Sequence, residues 1–169
     1  CVRRPRPPTA FLYDPLYLEH KTGDGFPERP ARIEAIAARL KEIKNLLPLK
    51  AAPAADEWIL TIHTAAYMER IKKLCGEVGA GIGKVDIPDV PISARSYEVA
   101  VAAVGGVLGA VDAVAEKRAR NAFCAVRPPG HHAGPAKAMG FCIFNNVALA
   151  AKYIQAKHKL AKVLIVDWD

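Results

Sequence analysis

Two adjacent histidines, His131 and His132, directly follow the rigid sequence Pro128-Pro129-Gly130. Imidazole titrates near neutral pH, so a histidine pair in a fixed position suits general acid–base chemistry. An isolated pair in a polar loop is more often an ordinary surface feature. Here an apolar stretch that predicts a buried strand runs straight into the pair, and this position favours a catalytic role.

Two carboxylates, Asp167 and Asp169, flank Trp168 after a second apolar stretch. Alternate residues of a strand point to the same side, so the two carboxylates are expected to share one face. Such a pair repels unless a cation or a protonated histidine neutralises it. The spacing therefore favours a bound cation, or a carboxylate that orients a histidine, over the alternative of a solubilising strand end.

Gly140 and Phe141 join a loop to a predicted helix. A glycine permits close approach of the backbone to a ligand, and the neighbouring phenylalanine is suited to wall an apolar slot. A plain capping turn, with Asn145 or Asn146 as the N-cap, is compatible with the same residues.

An alternation of strands and helices is predicted to place these residues. Strands are predicted at 11–13, 58–62 (strand or extended chain), 122–126 and 163–166. Helices are predicted from 30 to before Pro48, from the N-cap Thr64 to Gly76, over 96–117 and over 145–157. A Gly- and Pro-rich loop is predicted at 76–93. This order indicates an α/β fold with a mainly parallel sheet, in which ligands bind beyond the carboxyl ends of the strands. The β-branched run 163–166 is typical of a strand covered on both faces.

The chain has 169 residues, of which 51% are apolar and 24% are charged. This composition suits one folded domain and excludes a disordered chain. The longest uncharged apolar run, 99–111, has 13 residues, fewer than the roughly 20 that cross a bilayer, so no membrane partner is expected. The net charge of +7 comes from scattered lysines and arginines. No nucleic-acid-binding motif accompanies them, which argues against a nucleic-acid partner.

The four cysteines, Cys1, Cys75, Cys124 and Cys142, form no Cys-x-x-Cys pair. Free cysteines within apolar segments indicate a reducing compartment, so we expect a cytoplasmic protein. The alternative use of Cys124 or Cys142 is as a nucleophile beside the histidines. Their apolar surroundings are expected to raise the thiol pKa, which disfavours that role.

The string RPPGHHA at 127–133, followed by MGFCIFNNVA at 139–148, resembles the histone deacetylase superfamily. This zinc-dependent group includes acetylpolyamine amidohydrolases and acetoin-utilisation proteins. The run VLIVDWD at 163–169 is similar to the family's next block, and weaker similarities extend back to about Tyr13. The resemblance implies a three-layer α/β/α fold of the arginase/deacetylase type. Residues 1–10 are then a basic, Pro-rich segment, and 11–169 are the N-terminal part of a single catalytic domain.

The resemblance also implies catalytic roles. His132 matches the general base that deprotonates a zinc-bound water, and His131 matches its partner, which supports charge and protonates the leaving amine. Asp167 matches the carboxylate that orients His131, and it also matches a position that helps hold a structural potassium ion. Asp169 matches a zinc ligand.

Four further positions match substrate-binding residues of the family. Gly140 and Phe141 correspond to the lining of the acyl-lysine tunnel. Asp89 corresponds to a rim aspartate that grips the substrate backbone, once a one-residue gap is allowed. Arg29 corresponds to an arginine near the inner cavity through which acetate leaves.

The implied function is a zinc-dependent amidohydrolase that removes an acetyl group from acetyl-lysine or an acetylpolyamine. The family's other zinc ligands and its catalytic tyrosine lie beyond the matched blocks. We therefore expect the 169 residues alone neither to retain zinc nor to hydrolyse acetyl-lysine peptides. A non-catalytic binding or scaffold protein with the same fold is the main alternative. A binuclear manganese ureohydrolase is disfavoured, since its Gly-Gly-Asp-His pattern is absent. The acyl-amine substrate and the oligomeric state stay open.

Overall fold

The computed structural model describes residues 6–169 of the chain. Half of the predicted basic segment 1–10 lies outside these residues, and Thr9 and Ala10 already belong to the first strand. In chain order the elements are β1 (Thr9–Leu12), a 3-10 helix (Pro15–Glu19), α1 (Pro30–Leu40), β2 (Leu46–Leu49), α2 (Asp56–Ile59), α3 (Ala65–Glu77), β3 (Gly83–Val85), β4 (Ile87–Ile92), α4 (Ser96–Ala115), β5 (Asn121–Cys124) and α5 (Asn146–His158).

The larger sheet of the described chain is parallel and has three strands in the order β2-β1-β5. β1 pairs with both neighbours in parallel, so that Leu12 lies beside Leu49 on one side and Cys124 on the other. The carboxyl ends of all three strands therefore meet at one edge. The predicted parallel α/β architecture is confirmed, and the residues that follow β5 are delivered to the edge where such sheets bind ligands.

Helix α4 packs against this sheet and supplies much of the core. It is long and apolar enough to cross a membrane by length and hydropathy alone, but more than half of its most apolar stretch is buried inside the protein, as in a core helix. Its small residues permit close packing. A Cβ at Gly105 would lie 2.0 Å from the backbone oxygen of Ala52, and one at Gly106 would lie 2.7 Å from the Tyr17 hydroxyl.

Two predicted helix starts have the expected caps. The hydroxyl of Thr64 accepts a hydrogen bond of 3.2 Å from the backbone N–H of Tyr67 at the start of α3. The side-chain oxygen of Asn145 accepts one of 3.0 Å from the N–H of Ala148 at the start of α5. These bonds satisfy N–H groups that have no partner within the helix.

Four predicted elements differ from the structure. The helix predicted from 30 to before Pro48 ends at Leu40, and β2 begins at Leu46 within the predicted range. Residues 58–62 are not a strand, because α2 begins at Asp56, where two acidic residues in the first turn favour a helix N-terminus. The predicted loop 76–93 contains the antiparallel β3–β4 hairpin, in which Val85, Val90 and Ile92 are buried despite the glycines and prolines around them.

The fourth difference concerns 163–166, which is not a strand covered on both faces. Residues 159–169 have no regular secondary structure, and Leu164 is 86% exposed. The segment borders a shallow apolar cavity together with Val147 and Ile154 of α5. A β-branched run becomes a strand only where a neighbouring strand provides backbone hydrogen bonds, and no described strand lies beside this one.

Candidate active site

The turn that carries the histidines is packed tightly against the start of α5. A Cβ at Gly130 would lie 2.5 Å from the backbone nitrogen of Asn146, so only glycine fits there. The side chain of Asn146 donates to the backbone oxygen of Pro128 at 3.3 Å. The side chain of Asn145 donates to the backbone oxygens of His131 and Ala133 at 3.2 and 3.0 Å. The two asparagines therefore fix the backbone on both sides of the histidines, a role beyond the predicted cap.

The imidazoles of His131 and His132 converge on one carboxylate. Nε2 of His131 lies 2.9 Å from Oδ2 of Asp169, and Nε2 of His132 lies 3.3 Å from the same oxygen. The two ring centroids are 4.0 Å apart. The hydrogen bond and charge of His131, with a smaller effect from His132, lower the pKa of the Asp169 carboxyl below its usual value.

Asp167 lies apart from both imidazoles. Its Oδ1 accepts a hydrogen bond of 3.2 Å from the backbone N–H of Asp169. The structure thus pairs His131 with Asp169, where the resemblance implies Asp167. The predicted arrangement of the two carboxylates on one face required 163–169 to be a strand, and that segment has no regular structure.

A buried ion pair lies beneath the histidine turn. The guanidinium of Arg127 donates to both carboxylate oxygens of Glu28, at 2.5 and 2.8 Å, and to the backbone oxygen of Tyr17 at 3.1 Å. Arg127 and Glu28 are 1% and 2% exposed. Sequence reasoning missed this pair, although an arginine that directly continues an apolar strand was an available signal, because charged residues are buried only when they are paired.

His20 is buried beside this pair and was also missed. Its Nδ1 lies 2.7 Å from the Ser96 hydroxyl, and its Nε2 lies 3.7 Å from Oε2 of Glu28. Burial, together with the charge of Arg127, lowers the pKa of His20 to about 3. His20 is therefore neutral at physiological pH and acts as a buried hydrogen-bonding group.

The two site histidines and Asp169 open into a cavity of about 510 Å³. Glu28 and Arg32 contribute further charged groups to it, and its other lining residues are Pro27, Pro129, Gly140 and Phe141. A Cβ at Gly140 would lie 2.3 Å from Cδ2 of His132, so the glycine packs directly against that imidazole. The ring of Phe141 meets Phe26 edge to face at 6.1 Å. The cavity therefore has a polar end, formed by the two histidines and Asp169, and an aromatic wall, formed by Phe141.

Two predicted substrate residues lie away from this cavity. Arg29 is an exposed residue at the start of α1 and does not line it, whereas Arg32, on the first turn of the same helix, does. Asp89 belongs to β4 instead of a loop and is also absent from the lining. Its Oδ1 is buried and has no hydrogen-bond partner within residues 6–169.

The three cysteines within residues 6–169 do not have the character of nucleophiles. Burial raises the pKa of Cys75, Cys124 and Cys142 to about 11 each. The thiol of Cys142 donates to the backbone oxygen of Gly140 at 3.2 Å. All three are protonated at neutral pH, which supports the assignment of the chemistry to the histidines.

The donor set of the site fits a zinc ion. Ligand atoms of His131, His132 and Asp169 all lie within 4.8 Å of one another. Carboxylate oxygen is a ligand that zinc takes in proteins, so Asp169 suits the ion, but a catalytic zinc commonly has three protein ligands, and the two imidazoles match proton-transfer residues of the family instead.

Comparisons with known proteins identify the class to which this fold and site belong. A family model for the histone deacetylase domain matches residues 26–169. Because this match covers most of the chain, the chain belongs to the histone deacetylase family.

Among curated proteins, the chain is 38% identical over 181 residues to a histone deacetylase-like amidohydrolase of Pseudomonas aeruginosa, covering 95% of this chain and 47% of that protein. It is 41% identical over 127 residues to the polyamine deacetylase HDAC10 of Danio rerio, covering 71% of this chain and 18% of that protein. The chain thus spans about half the length of the Pseudomonas protein and a smaller share of the fish protein.

A solved structure confirms the fold class. The HD domain of HDA15 superposes on the chain with a TM-score of 0.82 at 31% sequence identity, covering 90% of this chain and 44% of that one. The chain therefore has the arginase/deacetylase fold expected from the resemblance, with a mainly parallel sheet.

Proposed function

We propose that the full-length protein is a zinc-dependent amidohydrolase that removes an acetyl or related acyl group from an acylated amine. One observation carries this proposal. The imidazoles of His131 and His132 and the carboxylate of Asp169 converge at the polar end of a cavity that Phe141 walls. Membership of the histone deacetylase family supports the same reaction class.

Asp169 is the residue of this chain that we assign as a zinc ligand, with the two imidazoles beside it. When bound, zinc polarises an amide carbonyl and makes water more acidic. Potassium is a second proposed cofactor, a structural ion held with the help of Asp167.

The histidines provide the proton transfers. His132, whose imidazole is 41% exposed and faces the cavity, accepts a proton at Nε2 from the attacking water. His131 is 26% exposed and is held by Asp169, so it supports the positive charge and then protonates the leaving amine. General acid–base catalysis of this kind contributes about 10²- to 10⁴-fold to the rate.

Residues that line the cavity provide the surface to which the substrate binds. Gly140 keeps the backbone close to His132, and Phe141, whose ring packs against Phe26, provides an apolar wall for the acyl-bearing chain. We also propose, from the resemblance alone, that Asp89 holds the substrate backbone at the rim and that Arg29 acts near the acetate exit; neither residue lines the cavity described above.

We further propose that residues 1–169 alone are inactive. The assigned zinc ligand within them is Asp169, and a catalytic zinc needs about three protein ligands. The chain spans 47% of its Pseudomonas relative, so we place the remaining ligands in the part of the relatives that the chain does not match. The proposed setting is the cytoplasm, which the free, protonated thiols support.

The substrate is proposed to be an acetylated protein or a small acetylated amine. Names of relatives support both classes, since one is a histone deacetylase-like amidohydrolase and another a polyamine deacetylase. We do not expect membranes or nucleic acids to be partners.

Acetate release by the full-length protein tests the proposal. We expect release from an acetyl-lysine peptide or from an acetylated polyamine, loss of release on treatment with a zinc chelator, and recovery when zinc is restored. Binding of these compounds without acetate release contradicts the amidohydrolase and favours the non-catalytic scaffold. Release that is unaffected by chelation contradicts the role of zinc.

A further inference from the structure

Asp86 lies at the tip of the β3–β4 hairpin, where its backbone has a φ of +59°. Its carboxylate accepts two hydrogen bonds from the guanidinium of Arg70 on α3, at 2.6 and 3.1 Å. Oδ2 of Asp86 also accepts a bond of 2.7 Å from the backbone N–H of Ala138. Arg70 in turn donates to the backbone oxygen of Ala136 at 3.3 Å. We call Arg70 and Asp86 the hairpin clamp, because together they join the hairpin, α3 and the loop 134–140.

The loop that the clamp holds leads directly into the candidate site. Two backbone hydrogen bonds join Met139 and Cys142, at 3.2 and 2.9 Å, and fix the turn between them. Gly140 occupies this turn and packs against the imidazole of His132. The amide that Asp86 holds is only two residues before Gly140, so a shift of that amide displaces the surface on which His132 rests.

The clamp is more than an ordinary surface ion pair. Arg70 also lies over the ring of Tyr67, at 5.3 Å, and the Tyr67 hydroxyl donates to the backbone oxygen of Ile143 at 2.7 Å. Burial alone would raise the pKa of Asp86, but the hydrogen bonds from Arg70 and from the Ala138 N–H lower it overall. The carboxylate is thus charged at neutral pH, and charge-assisted bonds of this kind are the stronger ones.

A matched pair elsewhere provides the control. Arg95 and Glu98 also form a bidentate pair, at 3.0 and 2.7 Å, but at the start of α4 and three residues apart. Neither the loop 134–140 nor the site cavity includes them. Removal of Glu98 therefore removes an ion pair of the same kind without touching the loop.

We infer that Arg70 and Asp86 are positioning residues of the site, which set the place of Gly140 and through it the orientation of the His132 imidazole. This inference rests on the proposed function for its catalytic consequence. The structural link itself, from hairpin tip to imidazole, is testable without turnover.

The test uses the full-length protein with ¹³C-labelled histidine and three variants: Asp86→Ala, Asp86→Asn and Glu98→Ala. In Asp86→Ala we expect the His132 ring resonance to shift and the Ala138 amide to exchange with solvent about tenfold faster. Asp86→Asn keeps an acceptor for that amide but loses the charge, so intermediate changes are expected. Glu98→Ala should leave both signals unchanged. All spectra are recorded well below the melting temperature of the least stable variant.

Turnover provides the second readout. We expect Asp86→Ala to lower kcat about tenfold or more with little change in KM, since a misplaced catalytic group slows the chemical step. A His132 resonance that does not move in either Asp86 variant overturns the inference, whatever happens to activity. Unchanged kcat despite a shifted resonance overturns its catalytic part. Absence of acetate release from the wild-type protein contradicts the proposed function instead, and the resonance then still decides the positioning role.

Discussion

Arg127 and Glu28 form a buried bidentate ion pair, although 99 positions separate them in the chain. Arg127 directly precedes the histidine turn, and Glu28 lies just before α1 and lines the candidate cavity. The pair therefore connects the strand end that carries the histidines to another residue that lines the site. Because both charged side chains are buried, removal of either one is expected to lower the stability of the fold.

Loss of one partner of this pair should destabilise the fold. Glu28→Gln leaves the Arg127 charge buried without its carboxylate, and removing one partner of a buried pair costs about 3–5 kcal/mol. Urea denaturation measures the free energy of unfolding. The control is Glu98→Gln, which removes an exposed pair worth about 0–1 kcal/mol. If both variants lost the same small amount of unfolding free energy, the buried pair would not have the predicted effect on stability.

Gly140→Ala should damage the site more than a comparable substitution elsewhere. The added Cβ would lie 2.3 Å from the His132 ring, in addition to the cost of a left-handed backbone conformation, about 1–2 kcal/mol. Gly79 has a similar φ, +63° against +56°, but nothing within 4 Å of its Cβ position. We expect Gly140→Ala to lower kcat at least about tenfold.

Gly79→Ala is expected to reduce stability alone, and measurement of both kcat and melting temperature separates the two effects. Equal kcat values in the two alanine variants would show that Gly140 does not hold the His132 ring in a catalytically relevant position.

Stability should fall as the solution is acidified, and His20 should account for part of the fall. The pKa of His20 is about 3 when folded and about 6.5 when unfolded. Between these values the unfolded chain binds the extra proton, so stability is full above about pH 6.5 and declines toward about pH 3, by at most roughly 1.4 kcal/mol per pH unit. His63, whose pKa burial also lowers, contributes with the same sign.

The measurement is urea denaturation of wild-type protein and of His20→Asn at several pH values between about 4 and 7. Asparagine retains a polar atom near Ser96 but does not titrate, so we expect a shallower decline in the variant. Parallel curves for the two proteins would mean that His20 does not titrate as its burial implies.

Much of the fold could be predicted from the sequence, because local signals and tertiary packing agree there. The N-caps at Thr64 and Asn145 and the apolar α4 are examples. Prediction failed where tertiary context decides. The hairpin around Asp86 lies in a Gly- and Pro-rich segment that carries no strand pattern, and the run 163–166 has a strand pattern but no neighbouring strand.

In the candidate site, too, local sequence predicted some residues and tertiary context decided others. The local sequence was sufficient to single out His131, His132 and Gly140, which the structure brings together. The apolar strand before Arg127 signals a buried, paired arginine, but its partner Glu28 lies in a distant segment, so the contact itself could not be predicted. The structure also places Arg32 in the cavity lining, because the direction of α1 decides which arginine faces the cavity; the role of Arg29 near an acetate exit stays a prediction.

Asp169 should be required for zinc binding by the full-length protein. We expect Asp169→Asn to weaken zinc retention by more than about 100-fold, since even indirect partners of a metal site cost 10- to 100-fold. The control is Glu116→Gln, an exposed carboxylate that pairs with Arg118. Zinc content after dialysis against a chelating resin measures the effect. Equal zinc in the two variants would remove Asp169 from the ligand set.

Measurements of zinc content and acetate release on residues 1–169 alone test the proposal that this part cannot bind zinc or catalyse the reaction by itself. We expect neither stoichiometric zinc nor acetate release. One zinc per chain together with turnover would contradict it.

The most direct test of the central claim is the kcat for acetate release by the full-length His132→Ala variant, with zinc content measured on the same sample. His158→Ala is the matched control, because His158 pairs with Asp112 near the far end of α5 and does not line the cavity. We predict that His132→Ala lowers kcat by at least about 100-fold and that His158→Ala stays within about twofold of wild type. A His132→Ala protein with wild-type kcat would contradict the assignment of His132 as the general base.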